Sequence, residues 1–186
     1  MMLRPMLIPE DRATASVLNP TEIGFAQDML VHHQQALLMT QRLDPDVDAS
    51  IRTLAQQISD TQRVEIGTML GWLRLANASP TNPNPMAWMS TDGAAHQHSA
   101  DGLMPGMATL AELDALSAAR GAAAETLFLQ LMQRHHVGGV AMAKAADQLL
   151  AAGAVKETAR AMITSQNKEA GIMTVVLAQR GAQPLP

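Results

Sequence analysis

The sequence predicts an all-α protein, a four-helix bundle, and three observations lead to this class. The apolar fraction of 47% comes mainly from Ala, Leu, Met and Val, aromatic residues make up only 2% and Tyr is absent, which suits helices better than sheets. No alternating run of β-branched and aromatic residues exceeds a few positions. Four long segments show helical periodicity between caps and turns. With 186 residues, we expect a single domain over residues 1–186 with a core of its own.

The first predicted helical hairpin covers about residues 20–77. Asn19, Pro20 and Glu22 suit the N-cap, N1 and N3 positions of a helix that continues to about residue 43. A polar turn then offers several caps for a second helix, which should end near residue 77. These candidate caps are Asp44, Asp48 and Ser50.

A linker and a second hairpin follow. Residues 78–106 are dense in Pro, Gly, Ser and Asn, so we expect no regular element there. Thr109 and Glu112 form a capping-box pattern for a short helix over about 109–120. A long helix from about residue 122 is predicted to close with Gly153 at its C′ position, and a last helix spans about 154–180. Two helical hairpins with a long central connection are typical of a four-helix bundle.

One motif occurs twice along the chain. The segments FAQDMLVHHQQALLMT (25–40) and FLQLMQRHHVGGVAMA (128–143) each contain Phe, three residues, Met, two residues, a His pair, and a Met six positions after the second His. Their partner helices repeat as well, with Gln-x-x-Glu at 62–65 and again at 166–169. These repeats indicate an internal duplication of a helical hairpin.

Polar residues interrupt the apolar face of each repeated helix. Heptad-like spacing places His32 and His135 on the inward face, with His33 and His136 about 100° further round, at the edge of that face. Antiparallel pairing should bring the Glu of each Gln-x-x-Glu level with the His pair of its own hairpin. An unpaired polar group in a core costs about 1–3 kcal/mol. We therefore expect the His, Gln and Glu side chains to satisfy one another or to hold a bound group.

The surrounding methionines favour a bound metal. The chain has 14 Met and no Cys, so any soft ligand must be a thioether. Imidazole with thioether suits copper, above all Cu(I), with Cu(II) a second candidate and zinc a weaker one. The predicted metal residues are His32, His33, His135, His136, Met29, Met132, Met39, Met142, Glu65, Glu169, Gln62 and Gln166. The Glu and Gln residues are assigned to orienting the imidazoles. Spacing leaves open whether the hairpins share one site or hold one each.

Two other interpretations stay open. A Glu–His hydrogen bond across each hairpin, with Gln bridging, would satisfy the polar groups without metal and set helix register. A metal-dependent oxidoreductase or hydrolase could use Glu65 or Glu169 as general base, although it would need an open coordination position and a substrate pocket. No Glu is followed by His at the third position, which disfavours a di-iron site. We assign no catalytic residue.

The chain resembles the bacterial domain-of-unknown-function family 305, which includes the CopM-like copper-binding proteins. The resemblance is carried by the two Phe-x3-Met-x2-His-His-x5-Met motifs, by the Gln-x-x-Glu after each, and by MPGMATLAEL at 104–113. It extends over about residues 20–180. It implies a ferritin-like helical bundle, export to the periplasm or cell surface, and copper binding or copper tolerance. The start of the chain has no sustained apolar run, so we expect no signal peptide within it.

The linker contains a candidate secondary metal site. His96 and His98 form a His-x-His arrangement, with Met104 and Met107 close behind. The alternative is a solvated linker in which these histidines occur by chance.

Charge and hydropathy limit the partners. The formal net charge is −4 and Lys and Arg are spread thinly, so there is no basic stripe for nucleic acid. No apolar run reaches the length of a membrane span. The expected partner is a metal ion, and a homo-oligomer is compatible with the sequence.

Overall fold

The chain folds into a helical bundle in a computed structural model that describes residues 16–89 and 102–186. Within these ranges there are five α-helices and no strand, which confirms the all-α prediction. The helices are α1 (Pro20–Arg42), α2 (Ala49–Leu75), α3 (Leu110–Ala118), α4 (Gly121–Leu149) and α5 (Ala154–Gln179), and a 3-10 turn covers Ala87–Met89. Among the described helices, none combines the length and apolar character of a membrane span.

Side-chain caps start three of the helices at the predicted places. Asn19 accepts a hydrogen bond from the Glu22 N–H (3.0 Å), and the Glu22 carboxylate accepts one from the Asn19 N–H (2.8 Å). Thr109 forms the same capping box at the start of α3. Of the three candidate caps for α2, Asp48 takes the N-cap position. Each cap satisfies backbone N–H groups that have no partner in the first helical turn.

The role predicted for Gly153 was wrong. Helix α4 ends at Leu149, and its C-cap, Leu150, is extended. Gly153 instead precedes α5 as its N-cap, with φ at 112°. This left-handed conformation is accessible to glycine because it has no Cβ. The glycine therefore serves the tight entry into α5 rather than a left-handed end of α4.

The helices pack as two hairpins that meet along α1 and α4. Helix α1 packs against α2, α4 packs against α5, and α1 packs against α4. Two apolar clusters fill the interior, one containing Phe25 and the other Phe128. We call them the Phe25 cluster and the Phe128 cluster. Along α1, Met29 belongs to the first and Met39 to the second, so the His pair of α1 lies between the two clusters.

A buried carboxylate fastens the connection after α2 onto α1. Asp28 accepts hydrogen bonds from the Met86 N–H (2.6 Å), the Trp88 indole N–H (2.8 Å) and the Asn82 amide (2.9 Å). Burial raises the pKa of Asp28, and these three hydrogen bonds oppose that rise. Trp88 also meets Phe25 edge to face, with ring centroids 5.5 Å apart. The carboxylate thus holds the first part of the long connection against the Phe25 cluster.

Candidate metal centre

The four predicted histidines lie together in one buried layer between the two apolar clusters. His32, His33 and His136 have no exposed surface, and His135 is 1% exposed. The rings of His32 and His135 stack across the boundary between α1 and α4, with centroids 3.8 Å apart and planes 30° apart. His33 and His136, predicted at the edge of the apolar face, are therefore as deeply buried as the inner pair. We call this set of four side chains the histidine layer.

The outer histidine of each hairpin is held by a glutamate from the partner helix. His33 Nε2 lies 2.7 Å from a Glu65 carboxylate oxygen, and His136 Nε2 lies 2.6 Å from a Glu169 carboxylate oxygen. Each carboxylate oxygen accepts the Nε2–H of its imidazole. The Glu65 and Glu169 side chains remain 14% and 17% exposed. The predicted register of Glu with His is present in both hairpins.

The inner histidines are held by backbone carbonyls. His32 Nε2–H donates to the Pro105 carbonyl (3.0 Å), and His135 Nε2–H donates to the His32 carbonyl (2.9 Å). Because a carbonyl oxygen only accepts, Nε2 must carry the proton in both neutral rings. Two glutamates and two carbonyls therefore set the tautomers, a role that the sequence had also assigned to the glutamines.

The tautomers leave four nitrogen lone pairs without a partner. The Nδ1 atoms of His32, His33, His135 and His136 are buried and accept no hydrogen bond from the protein. The Gln62 and Gln166 amide oxygens also accept no hydrogen bond from the protein, and the Gln166 amide nitrogen donates none. A ligand that pairs with these groups would stabilise the folded protein, since each buried polar group that stays unpaired costs about 1–3 kcal/mol. The layer is therefore chemically suited to bind a group that accepts lone pairs.

Buried methionines flank the layer on both sides. Met29 and Met142 belong to the Phe25 cluster, whereas Met39 and Met132 belong to the Phe128 cluster. In each cluster, the methionine that precedes the His pair of one helix lies with the methionine that follows the His pair of the other helix. Three further methionines of α2 and α5 join them: Met69 and Met162 in the Phe25 cluster and Met173 in the Phe128 cluster. All seven side chains are fully buried.

The histidines do not converge on one point. Across residues 16–89 and 102–186, no three His, Asp or Glu side chains are gathered so that they could hold one ion. The stacking of His32 on His135 explains this, because imidazole lone pairs lie in the ring plane and stacked rings direct them side by side. An ion bound at this layer therefore needs thioether sulfur or amide oxygen besides imidazole, or a small rotation of the rings.

Burial also keeps the inner histidines neutral. It lowers the pKa of His32 from 6.5 to about 3, with the neighbouring His33 as the next cause. The pKa of His135 falls well below 6.5, again mainly through burial and then through His32. Neutral imidazoles are the form that binds metal.

Metal-free protein should lose stability as the pH falls from 6.5 to 5. Unfolding lets His32 regain its ordinary pKa, so the unfolded chain binds a proton that the folded chain does not. The free energy of unfolding therefore drops as the pH falls, with a slope that steepens towards about 1.4 kcal/mol per pH unit as the unfolded histidine becomes fully protonated. His135 acts in the same direction. Urea unfolding at several pH values measures the slope. A His96→Ala/His98→Ala control should show the same slope, and a stability constant over this range would contradict the expectation.

The secondary site in the linker remains a prediction. His96 and His98 lie outside the described residues. Met104 is buried in the Phe25 cluster, and Met107 packs against that cluster while partly exposed. The Met104 thioether therefore packs in the bundle interior rather than with the linker.

Sequence reasoning missed two contributors to the layer. The Pro105 carbonyl, which accepts from His32, has no side-chain signal, because every residue carries a carbonyl. The second contributor is Gly139 of α4, which has no side chain to give a chemical signal. A Cβ there would lie 2.3 Å from the Gln166 amide oxygen and 3.2 Å from His32 Cε1. The consecutive glycines at 138 and 139 within a long helix were the available signal, since glycine there costs about 1 kcal/mol.

Two solved structures of DUF305 proteins are similar to this chain over most of its length. A presumed secreted DUF305 protein from Streptomyces coelicolor is 40% identical, with a TM-score of 0.79 over 89% of this chain and 96% of that one. A DUF305 fragment from Deinococcus radiodurans is 32% identical, with a TM-score of 0.71 over 87% and 97%.

A further solved structure is more distant. CopM in its Cu(II)-bound form is 22% identical, with a TM-score of 0.58 over 82% of this chain and 92% of CopM, and it shows a shared fold. The comparison with curated proteins yields no match. The model of the domain of unknown function DUF305 matches residues 22–177. This match covers most of the sequence, and the chain therefore belongs to the DUF305 family.

Proposed function

We propose that this protein binds copper in the histidine layer and holds or buffers the ion outside the cytoplasm. The ligands are drawn from the Nδ1 atoms of the four histidines, which can serve one ion or two, together with thioethers of the adjacent clusters, Met29 and Met132 first. Glu65 and Glu169 orient the outer imidazoles and make them more basic. Bound copper would supply the electron-pair acceptor that these ligands lack.

The observation that carries the proposal is the set of unpartnered lone pairs. A purely structural network would satisfy its own members, and here two glutamates and two backbone carbonyls do satisfy the four Nε2 atoms. Seven buried polar atoms of the four histidines and two glutamines nevertheless have no protein partner, and six of them are lone-pair acceptors: the four Nδ1 atoms and the two amide oxygens. At about 1–3 kcal/mol each, their combined cost would rival the net stability of a domain, about 5–15 kcal/mol. A bound group that accepts lone pairs removes most of this cost.

Copper is the metal that this donor set suits best. Thiolate is absent from the chain, and the Glu65 and Glu169 carboxylates are held by imidazoles. The remaining donors are imidazole nitrogen, the amide oxygens of Gln62 and Gln166, and thioether sulfur in the adjacent clusters. Soft thioether ligands select Cu(I), and in nitrogen and oxygen sites Cu(II) is preferred over Zn(II). The copper bound to CopM is a property of that distant relative, and it supports the same choice of metal. Cu(I) is the oxidation state that we propose for the resting site.

Two finer features belong to the proposal. We infer that the bundle is ferritin-like and that its hairpins are duplicated copies, because His33–Glu65 and His136–Glu169 form the same contact at 2.7 and 2.6 Å. We also place the protein in the periplasm or at the cell surface. The presumed secretion of the Streptomyces coelicolor relative supports this location. A chain without cysteine also has no thiol that an oxidising compartment could oxidise.

Competition titration with Cu(I) tests the proposal. Metal-free protein is titrated in the presence of a chromogenic Cu(I) chelator, and we expect the protein to withdraw copper from it. The variant His32→Ala/His33→Ala/His135→Ala/His136→Ala should withdraw none. If that variant fails to fold, His33→Gln/His136→Gln, which keeps polar groups of similar reach, replaces it and should bind at least tenfold more weakly.

A matched pair of histidines serves as control. His96→Ala/His98→Ala removes the candidate secondary site of the linker. Because the proposal places copper in the histidine layer, this variant should keep its affinity within about twofold of the parent protein. Failure of the parent protein to compete for Cu(I), or loss of binding only in this control, would contradict the proposal.

A further inference from the structure

A short segment between the linker and α3 crosses the histidine layer. Residues 104–108, which we call the strap, run from the Phe25 cluster, where Met104 is buried, to the Phe128 cluster, where Ala108 is buried. Gln35 of α1 anchors the far end: its amide N–H donates to the Ala108 carbonyl (2.9 Å) and its amide oxygen accepts from the Ala108 N–H (2.7 Å). The middle of the strap thus lies over the boundary between α1 and α4.

Two glycines let the strap approach the backbone of α4. Gly106 has φ at 75°, and a Cβ there would lie 2.3 Å from the Arg134 carbonyl oxygen. A Cβ on Gly138 would lie 1.9 Å from the Pro105 carbonyl oxygen. In both cases the atom that the added Cβ would meet belongs to the backbone. A backbone atom cannot move aside as the end of a flexible side chain could. The position of the Pro105 carbonyl therefore depends on the absence of side chains at 106 and 138.

We propose that the strap is a positioning element of the histidine layer, with the Pro105 carbonyl as its functional group. This inference rests on the proposed function. The carbonyl accepts the His32 Nε2–H at 3.0 Å, which keeps the proton on Nε2 and leaves Nδ1 free as a ligand. Without this acceptor the imidazole can move its proton to Nδ1, and the lone pair offered to the metal is lost.

The four histidines make this role specific to His32. His33 and His136 have glutamate acceptors, and His135 has the His32 carbonyl within α1. His32 alone among the four takes its acceptor from a connection between helices. Displacing the strap should therefore disturb one ring and leave the hydrogen bonds of the other three in place.

The experiment compares two single variants. Gly138→Ala pushes the carbonyl away through the new Cβ. Gly171→Ala is the matched control, because Gly171 lies in α5 and a Cβ there meets nothing within 4 Å. Each protein is assayed for Cu(I) affinity by chelator competition, and its metal-free imidazole tautomers are determined from nitrogen-15 NMR shifts.

We expect Gly138→Ala to weaken Cu(I) binding by about 10–100-fold and to convert one imidazole from the Nε2–H tautomer. Gly171→Ala should stay within about twofold of the parent protein. If Gly138→Ala does not fold, Gln35→Ala, which releases the far anchor of the strap, takes its place, with a weakening of at least threefold expected.

Three results would overturn the inference. These are unchanged affinity and tautomers in a folded Gly138→Ala protein, unchanged values in the Gln35→Ala substitute, or an equal loss in Gly171→Ala. If the parent protein binds no copper, the proposed function fails, whereas the NMR measurement still decides whether the strap sets the His32 tautomer.

Discussion

Copper should raise the unfolding temperature of the metal-free protein by about 8–16 °C. A ligand that binds only the folded state stabilises it by about 4 kcal/mol at a free concentration 1,000 times its dissociation constant. For a chain of this size, each kcal/mol shifts the midpoint by about 2–4 °C. The physical origin of the shift is the satisfaction of the buried Nδ1 lone pairs. Thermal unfolding followed by circular dichroism, with Cu(I) under anaerobic conditions, measures it.

The variant without the four histidines provides the comparison. Its midpoint should be the same with and without copper, because the apolar clusters remain while the nitrogen ligands are gone. Zinc should stabilise the parent protein less than copper, since Zn(II) gains little from thioether sulfur. An equal copper-dependent shift in the parent protein and in the variant would place the binding elsewhere on the chain.

Changing both orienting glutamates to glutamine should weaken Cu(I) binding by about 10–100-fold for each glutamate that serves an occupied site. In Glu65→Gln/Glu169→Gln the amide oxygen can still accept from the imidazole Nε2–H. The negative charge that makes the imidazole a stronger electron donor is removed. The variant therefore separates the electrostatic role of the carboxylate from its role in holding the ring. Chelator competition at constant pH measures the change.

Glu157 of α5 offers a matched control. Its side chain is 67% exposed and pairs with Arg160 on the same helix. Glu157→Gln makes the same chemical change on the surface and should alter copper affinity by less than twofold, since exposed ion pairs contribute about 0–1 kcal/mol. An affinity loss in this control as large as in the double variant would show a general effect of charge. Unchanged binding in the double variant would remove the glutamates from the site.

Local signals predicted most of the helix positions. Asn19 and Glu22 were predicted at the N-cap and N3 positions and Thr109 with Glu112 as a capping box, and both pairs form capping boxes. They are predictable because a cap involves residues three positions apart, so its partners are visible in the sequence. Gly153 shows the limit of such signals. Glycine suits both a helix end and a tight entry into the next helix, and only the packing of α4 and α5 selects one.

Some features of the histidine layer could be predicted from the sequence, and others could not. Spacing along the helices was enough to pair Glu65 with the first His pair and Glu169 with the second, because the rise per residue converts sequence distance into height along a hairpin. The depth of His33 and His136, the stacking of His32 on His135, and the Pro105 carbonyl could not be predicted. Each depends on how α1, α4 and the strap approach one another, and no short-range pattern records that approach.

The sequence by itself determined the helices, their caps and the types of donor atom within reach of one another, because these follow from periodicity and from side-chain chemistry. Only the tertiary structure decided which nitrogen of each imidazole is free, which methionines share a cluster across the hairpins, and how the strap meets α4. Those features arise from close contacts between segments far apart in the chain. The Pro105 carbonyl can accept a hydrogen bond from His32 only because Gly138 has no side chain to block its approach.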